Sequence, residues 1–177
     1  MSPQIRNRLI RYYRIDERTG ASHARNVGIE NSHGKWICYV DSDNTIDRDF
    51  LQVFANAIEK EPADCYYAQL IYKSDGREGP SRPFDYELLK KGNYIDMGVF
   101  VHRRDLIITH GEFDEKLNRL IDWDLILRYT ADTKVVYIPQ TVMSYNDIDD
   151  HERITNTNSY NEAINYIKDK QIQVTNK

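Results

Sequence analysis

The sequence predicts an α/β domain with a mostly parallel sheet flanked by helices, and three observations predict it. Strand-like apolar runs alternate with helix-like segments along most of the chain. One run, Trp36-Ile37-Cys38-Tyr39-Val40, is apolar at every position, the pattern of a strand buried on both faces. The length of 177 residues suits one domain, against a prior of roughly 100–200 residues per domain. A chain of this size buries about two thirds of its unfolded surface and needs neither disulfide nor metal to fold.

Taken in order, residues 8–15 are β-branched and aromatic enough for a strand, and Asp16–Gly20 turns the chain. Ser22 opens a helix through Ala24, Val27 and Ile29 that ends near Asn31–Gly34. The strand 36–40 follows. Asp47 suits an N-cap, and Phe50, Leu51, Phe54, Ala57 and Ile58 then form one apolar helix face that Pro62 stops. Residues 64–72 read as a strand. Residues 76–93, with Pro80 and Pro83, read as an excursion holding one short helix at 85–91. A strand over 95–101, a short helix over 104–109 ending before Gly111 and a buried helix over 120–130 come next. Val135–Ile138 is a last strand, closed by Pro139, and a helix lies near 159–170. Residues 1–146 are thus read as the domain and 147–177 as a polar tail with a terminal helix.

Lys and Arg number 24 and Asp and Glu 28, a net charge of −4, so there is no basic stripe of the kind a nucleic-acid binder shows. Aromatic residues make up 11 %, which argues against disorder, and 13 residues are Tyr, a residue suited to half-wet ligand clefts. No apolar run approaches the roughly 20 residues needed to span a bilayer, and the first residues lack the apolar core of a signal peptide. A cytoplasmic protein, at most peripheral to the membrane, is expected. Cys38 and Cys65 both sit in apolar runs and read as small buried hydrophobes.

Chemistry concentrates in Tyr39-Val40-Asp41-Ser42-Asp43-Asn44. Ligands of open α/β sheets bind beyond the carboxyl ends of strands. Two carboxylates two residues apart there repel unless a cation lies between them, and a hard divalent ion is usually held by one or two carboxylates plus substrate phosphates. Asp-x-Asp alone is short and equally compatible with an Asx turn that caps the next helix.

Its surroundings narrow the choice. The stretch from Gly20 to Ile29, Gly-Ala-Ser-His-Ala-Arg-Asn-Val-Gly-Ile, followed by Gly34-Lys35-Trp36-Ile37-Cys38-Tyr39-Val40-Asp41-Ser42-Asp43, resembles the middle of the family 2 glycosyltransferases, which have the GT-A fold. A second block fits the same family: Arg103-Arg104-Asp105-Leu106, Gly111-Glu112-Phe113-Asp114-Glu115 and Asp122-Trp123-Asp124-Leu125. Together they cover roughly residues 8–146. The resemblance implies a metal-dependent enzyme that moves a sugar from a nucleotide-diphosphate donor to a hydroxyl acceptor, a sugar or glycolipid, in polysaccharide or glycoconjugate synthesis. It implies Mn²⁺ or Mg²⁺ at Asp41 and Asp43, with His151 as a late ligand, and donor contacts from Arg25, Asn26 and Ser42. On the acceptor side lie Tyr94, Asp96, Met97 and Trp123. A non-catalytic paralogue that binds sugar or protein is the alternative, and a magnesium phosphotransferase ranks last because no phosphate-cradling glycine loop is present.

Two acids share an otherwise apolar helix. Asp124 and Arg128 are spaced i, i+4 and can pair, which gives Asp124 a structural role. Asp122 has Ile126 four residues on, lies at the helix start where a carboxylate can act as a cap, and falls where the family places its catalytic base. Many members have Glu-Asp at that point, whereas this chain has Ile121-Asp122. Members also begin with two strand–helix units that hold the nucleoside, on the order of 50–60 residues, and this chain starts at what resembles the third strand. Exposed sheet edges, a homo-oligomer that covers them, poor discrimination between nucleoside bases and negligible transfer by the isolated chain are the resulting expectations.

Overall fold

The computed structural model describes residues 10–16, 19–148 and 157–175. Helix α1 spans Gly20–Glu30, strand β1 Trp36–Cys38, β2 Thr45–Ile46, helix α2 Phe50–Lys60 and β3 Cys65–Tyr72. Helix α3 spans Tyr86–Leu89, a 3-10 turn Met97–Val99, β4 Phe100–Arg103, α4 Leu106–His110, α5 Ile121–Thr130, β5 Val135–Tyr145 and α6 Thr157–Thr175. The strands form one sheet in the order β1-β4-β3-β5-β2.

Strand β3 is the centre, and its alternation builds two cores. Cys65 and Tyr67 point to a face shared with Ile29 of α1, Leu106 of α4, Leu125 and Ile126 of α5 and Ile167 of α6. Tyr66, Ala68 and Leu70 point to the other face, where Phe50, Val53 and Phe54 of α2 pack with Val142 and Met143. Helices therefore cover both faces, as the α/β reading requires. Full burial of one such aromatic or aliphatic side chain contributes about 1.5–3 kcal/mol.

The sheet is less parallel than expected. Only β3 and β5 run parallel, from Cys65 opposite Val135 to Tyr72 opposite Tyr145. The pairs β1–β4, β3–β4 and β2–β5 are antiparallel. The apolar run 36–40 consequently yields a three-residue strand at the sheet's edge, with Cys38 exposed rather than buried. Cys65, in the central strand, is buried as expected. Among the described residues, nothing pairs with the outer edge of β1.

Other elements shift for local reasons. Residues 10–15 make no strand, and Ile10, Tyr12 and Tyr13 are exposed. The strand expected from 95 begins only at Phe100, because Asp96 accepts from the backbone N–H of Gly98 at 2.8 Å and closes a 3-10 turn first. Asp49 rather than Asp47 precedes α2, although the carbonyl of Asp47 still receives Phe50 N–H. Pro139 does not end β5: the register jumps from Ala68–Ile138 to Gln69–Thr141, and the proline lies in that irregularity, where a missing N–H removes no ladder bond. Helix α3 is capped by Asp85, which accepts from Leu88 N–H at 3.0 Å.

Candidate active site

Three distant segments meet at one guanidinium. Arg25 projects from α1 and donates through Nη1 to Asp122 Oδ1 at 2.5 Å and through Nη2 to Asp41 Oδ1 at 3.1 Å. Asp41 lies three residues beyond β1, and Asp122 in the first turn of α5. Arg25 is the most enclosed of the three, its side chain 16 % exposed against 32 % for Asp122 and 47 % for Asp41. The ring of Phe113 backs it, 5.3 Å from the guanidinium carbon.

Helix α1 is held for this task by its neighbour Asn26. The Asn26 amide donates to Phe113 O and Glu115 Oε1, both at 3.0 Å, and its oxygen accepts from Phe113 N at 3.0 Å. These bonds fasten the 113–115 loop to α1. Asn26 is 6 % exposed and thus positions Arg25 from within the fold rather than facing a donor, a correction to its expected role. Helix α5 is held from its other side. Asp124 is fully buried, its Oδ2 accepts from Arg128 Nε at 3.0 Å and Nη2 at 2.9 Å, and its Oδ1 lies 2.8 Å from Lys170 Nζ as an ion contact without hydrogen-bond alignment. Lys170 of α6 also reaches Asp114 at 2.8 Å.

Charge and burial oppose each other at the centre. Burial pushes the Asp122 carboxyl up, Arg25 pulls it down, Asp41 adds to the rise, and the outcome lies above the ordinary aspartate value. Burial works against the charge of Arg25, but the fields of Asp122 and Asp41 outweigh it and raise its pKa. Asp96 belongs to the same group: burial pushes it up to about 6, against the Gly98 N–H, with Asp122 and Asp41 contributing. A partly buried carboxylate with a raised pKa is suited to take a proton from a hydroxyl.

The remaining expected site residues divide. Ser42 and Asp43 are exposed in the turn after Asp41. Asn44 accepts from Asn146 N–H at 3.0 Å, tying that turn to the end of β5. Asp41 and Asp43 offer the hard oxygens that Mg²⁺ and Mn²⁺ take. Among the described residues, no three metal-ligating side chains converge. His151 lies outside the described residues.

Met97 is 1 % exposed, and Trp123, 4 % exposed, donates its indole N–H to Leu89 O at 2.7 Å. Both sit in the core and offer no surface to an acceptor, contrary to expectation. Tyr94 is buried, its hydroxyl held by Asp85 N–H at 2.8 Å and donated to Asp85 O at 3.0 Å, while its ring lines a cavity shared with Asp96. Sequence spacing missed the partner of Asp122, Arg25, and the second partner of Asp124, Lys170, because both come from other elements.

Residues 2–115 match the family described as Glycosyl transferase family 2. Curated PGL/p-HBAD biosynthesis glycosyltransferases from Mycobacterium bovis and Mycobacterium tuberculosis are 31 % identical over 151 residues, covering 82 % of this chain and 57 % of theirs. The chain thus spans little more than half the length of these relatives. Among solved structures, S. aureus TarS 1-349 superposes with a TM-score of 0.65 at 16 % identity, over 84 % of this chain and 44 % of that one. Its complex with UDP-GlcNAc gives 0.67 at 16 % identity, over 84 % and 46 %. At such identities the likeness shows the fold, which is GT-A.

Proposed function

The chain belongs to glycosyl transferase family 2, and from that premise we propose that it carries the reaction centre of an enzyme moving a sugar from a nucleotide-diphosphate donor to a hydroxyl acceptor. The observation that carries this reading is Arg25 joined to Asp41 and Asp122 at 3.1 and 2.5 Å. Structures of TarS with UDP and UDP-GlcNAc support a donor of that class.

Each residue then has a distinct task. Asp122 takes the proton of the attacking hydroxyl, and its burial keeps it basic enough to do so. Arg25 holds Asp122 ionised and oriented in the resting site, and its charge lies where a donor diphosphate would neutralise it. Asp41 and Asp43 would hold Mg²⁺ or Mn²⁺. Such an ion supplies charge neutralisation for the departing diphosphate.

The test is transfer from UDP-GlcNAc and related nucleotide sugars, followed as nucleotide release with a hydroxyl acceptor panel. The wild-type chain is compared with Asp122→Asn and Arg25→Ala. The reading expects release that depends on Asp122. Release that persists at the wild-type rate in Asp122→Asn would overturn the assignment of the base.

A further inference from the structure

Strand β1 has a free side with a fixed polarity. Arg104 N–H donates to Lys35 O at 2.9 Å, and Ile37 and Cys38 lie opposite His102 and Val101 in the antiparallel ladder with β4. Along such a ladder, the backbone groups of successive residues point to opposite edges of the strand. Those of Lys35 and Ile37 therefore face β4, and those of Trp36, Cys38 and Val40 face outward, where no strand lies among the described residues. Side chains alternate as well: Ile37 and Tyr39 are buried on the α1 face, and Trp36 packs on the α2 face. Grooves flank the open edge on both faces. One of about 270 Å³ runs beside Gly28 and Ile29 of α1, and one of about 200 Å³ beside Phe50, Leu51 and Phe54 of α2. Leu51 is 68 % exposed and Val40 49 %. An edge with unpaired backbone groups and apolar flanks is a template for another strand.

The sequence of this edge complements itself read backwards. When two copies run antiparallel about Cys38, Trp36 stands opposite the partner's Val40 and Cys38 opposite the partner's Cys38, so every outward N–H and C=O meets its counterpart. In the same register Lys35 stands opposite the partner's Asp41, and two-fold symmetry repeats the pair. Lys35 is exposed and makes no ion pair among the described residues. Asp41 is 47 % exposed, and Arg25 holds it on the α1 face, the face to which Lys35, in phase with Ile37 and Tyr39, also belongs. Centring the pair on Ile37 instead sets Lys35 opposite the partner's Tyr39 and Asp41 opposite the partner's His33. Opposite charge therefore selects the register about Cys38.

We propose that β1 pairs with β1 of a second copy of this chain, antiparallel about Cys38, joining the two sheets and setting the partner's Lys35 beside Asp41 and Arg25 of the candidate site. The test holds neither nucleotide nor acceptor, so it stands apart from the sugar-transfer reading. Sedimentation velocity of the whole chain is followed over rising concentration, and the wild type is expected to pass from one copy to two. Lys35→Glu and Asp41→Lys each set like charges across the pair and should weaken the dimer by about ten-fold or more. An equimolar mixture of the two variants restores both opposite pairs and should dimerise as the wild type does. Hydrogen exchange identifies the face: the N–H groups of Trp36, Cys38 and Val40 should gain protection with concentration, and that of Ile37, which faces β4, should not change. Lys35 is exposed, so Lys35→Glu decides the matter should Asp41→Lys fail to fold. A monomer at every concentration, a Lys35→Glu dimer as tight as the wild type, a mixture of folded variants no tighter than either alone, or a dimer without added protection at Cys38 overturns the proposal.

Discussion

Arg25 and Asp122 are 97 residues apart in the chain and 2.5 Å apart in the fold. Their contact joins α1 to α5, and the same guanidinium reaches Asp41 beyond β1. The site is therefore a junction of three segments, held by one cation between two carboxylates, Asp41 and Asp122.

Removing that cation has a defined sign. Arg25 lowers the pKa of Asp122, so Arg25→Ala should raise it further. Carbon-detected NMR titration of the Asp122 carboxyl reads this directly, and an unchanged or lower value contradicts the pairing. Stability should fall by about 1–3 kcal/mol, since the lost bonds are charge-assisted and partly solvated.

Asp124 and Asp122 should separate cleanly in stability. Asp124 is fully buried between Arg128 and Lys170, so Asp124→Ala takes from Arg128 its carboxylate partner and leaves Lys170 with Asp114 alone, and should cost about 3–5 kcal/mol. Asp122→Asn keeps a hydrogen-bonding partner for Arg25 at a half-exposed position and should cost about 1 kcal/mol or less. Urea unfolding of the two variants measures both, and equal losses would refute the division of roles.

How legible these roles were in the sequence depends on how far apart the partners lie. The Asp124–Arg128 pair was readable because both residues sit on one helix at i, i+4. Arg25–Asp122 and Lys170–Asp124 were not, because nothing local encodes which helices pack together. The α/β class followed from alternating patterns, but an apolar run cannot distinguish a central strand from an edge strand, and Trp36–Cys38 proved to be an edge. Pro139 looked like a stop because sequence does not reveal that a bulge can absorb it. Family-type blocks located Asp41 and Asp122, while the structural duty of Asn26 emerged only from its three bonds to Phe113 and Glu115.

His102 should make folding sensitive to acid. It is fully buried, with one ring nitrogen 2.8 Å from the Tyr39 hydroxyl and the other 2.8 Å from Arg103 O, and burial lowers its pKa to about 4 from 6.5. A depressed histidine gives stability that is present above pH 6.5 and lost as pH falls through about 4, roughly 3 kcal/mol in all. Asp96 acts in the opposite sense, because its raised pKa gives stability present below pH 3.8 and lost as pH rises through about 6. The comparison is therefore made in an Asp96→Asn background, where denaturant midpoints should drop between pH 7 and pH 4.5. Adding His102→Gln should flatten that drop, and an unaltered profile would show that His102 is not its source.

Leu120 enters α5 with φ at 58°, a left-handed conformation that a branched residue adopts only with strain. Leu120→Ala and Leu120→Gly lose comparable packing, but glycine relieves the backbone. Leu120→Gly should exceed Leu120→Ala in stability by about 1 kcal/mol in thermal or urea unfolding. Equal stability would mean that this turn relaxes in solution.

The most direct test of the donor site is calorimetric titration of the chain with UDP, in Mn²⁺ and in EDTA, for wild type, Asp41→Asn and Asp122→Asn. Binding should be tighter with Mn²⁺ in the wild type. That metal effect should vanish in Asp41→Asn and persist in Asp122→Asn, where the base has gone but the diphosphate side is intact. A metal effect that survives in Asp41→Asn, or UDP binding lost equally in both variants, would contradict the assignment of Asp41 to the donor and Asp122 to the acceptor.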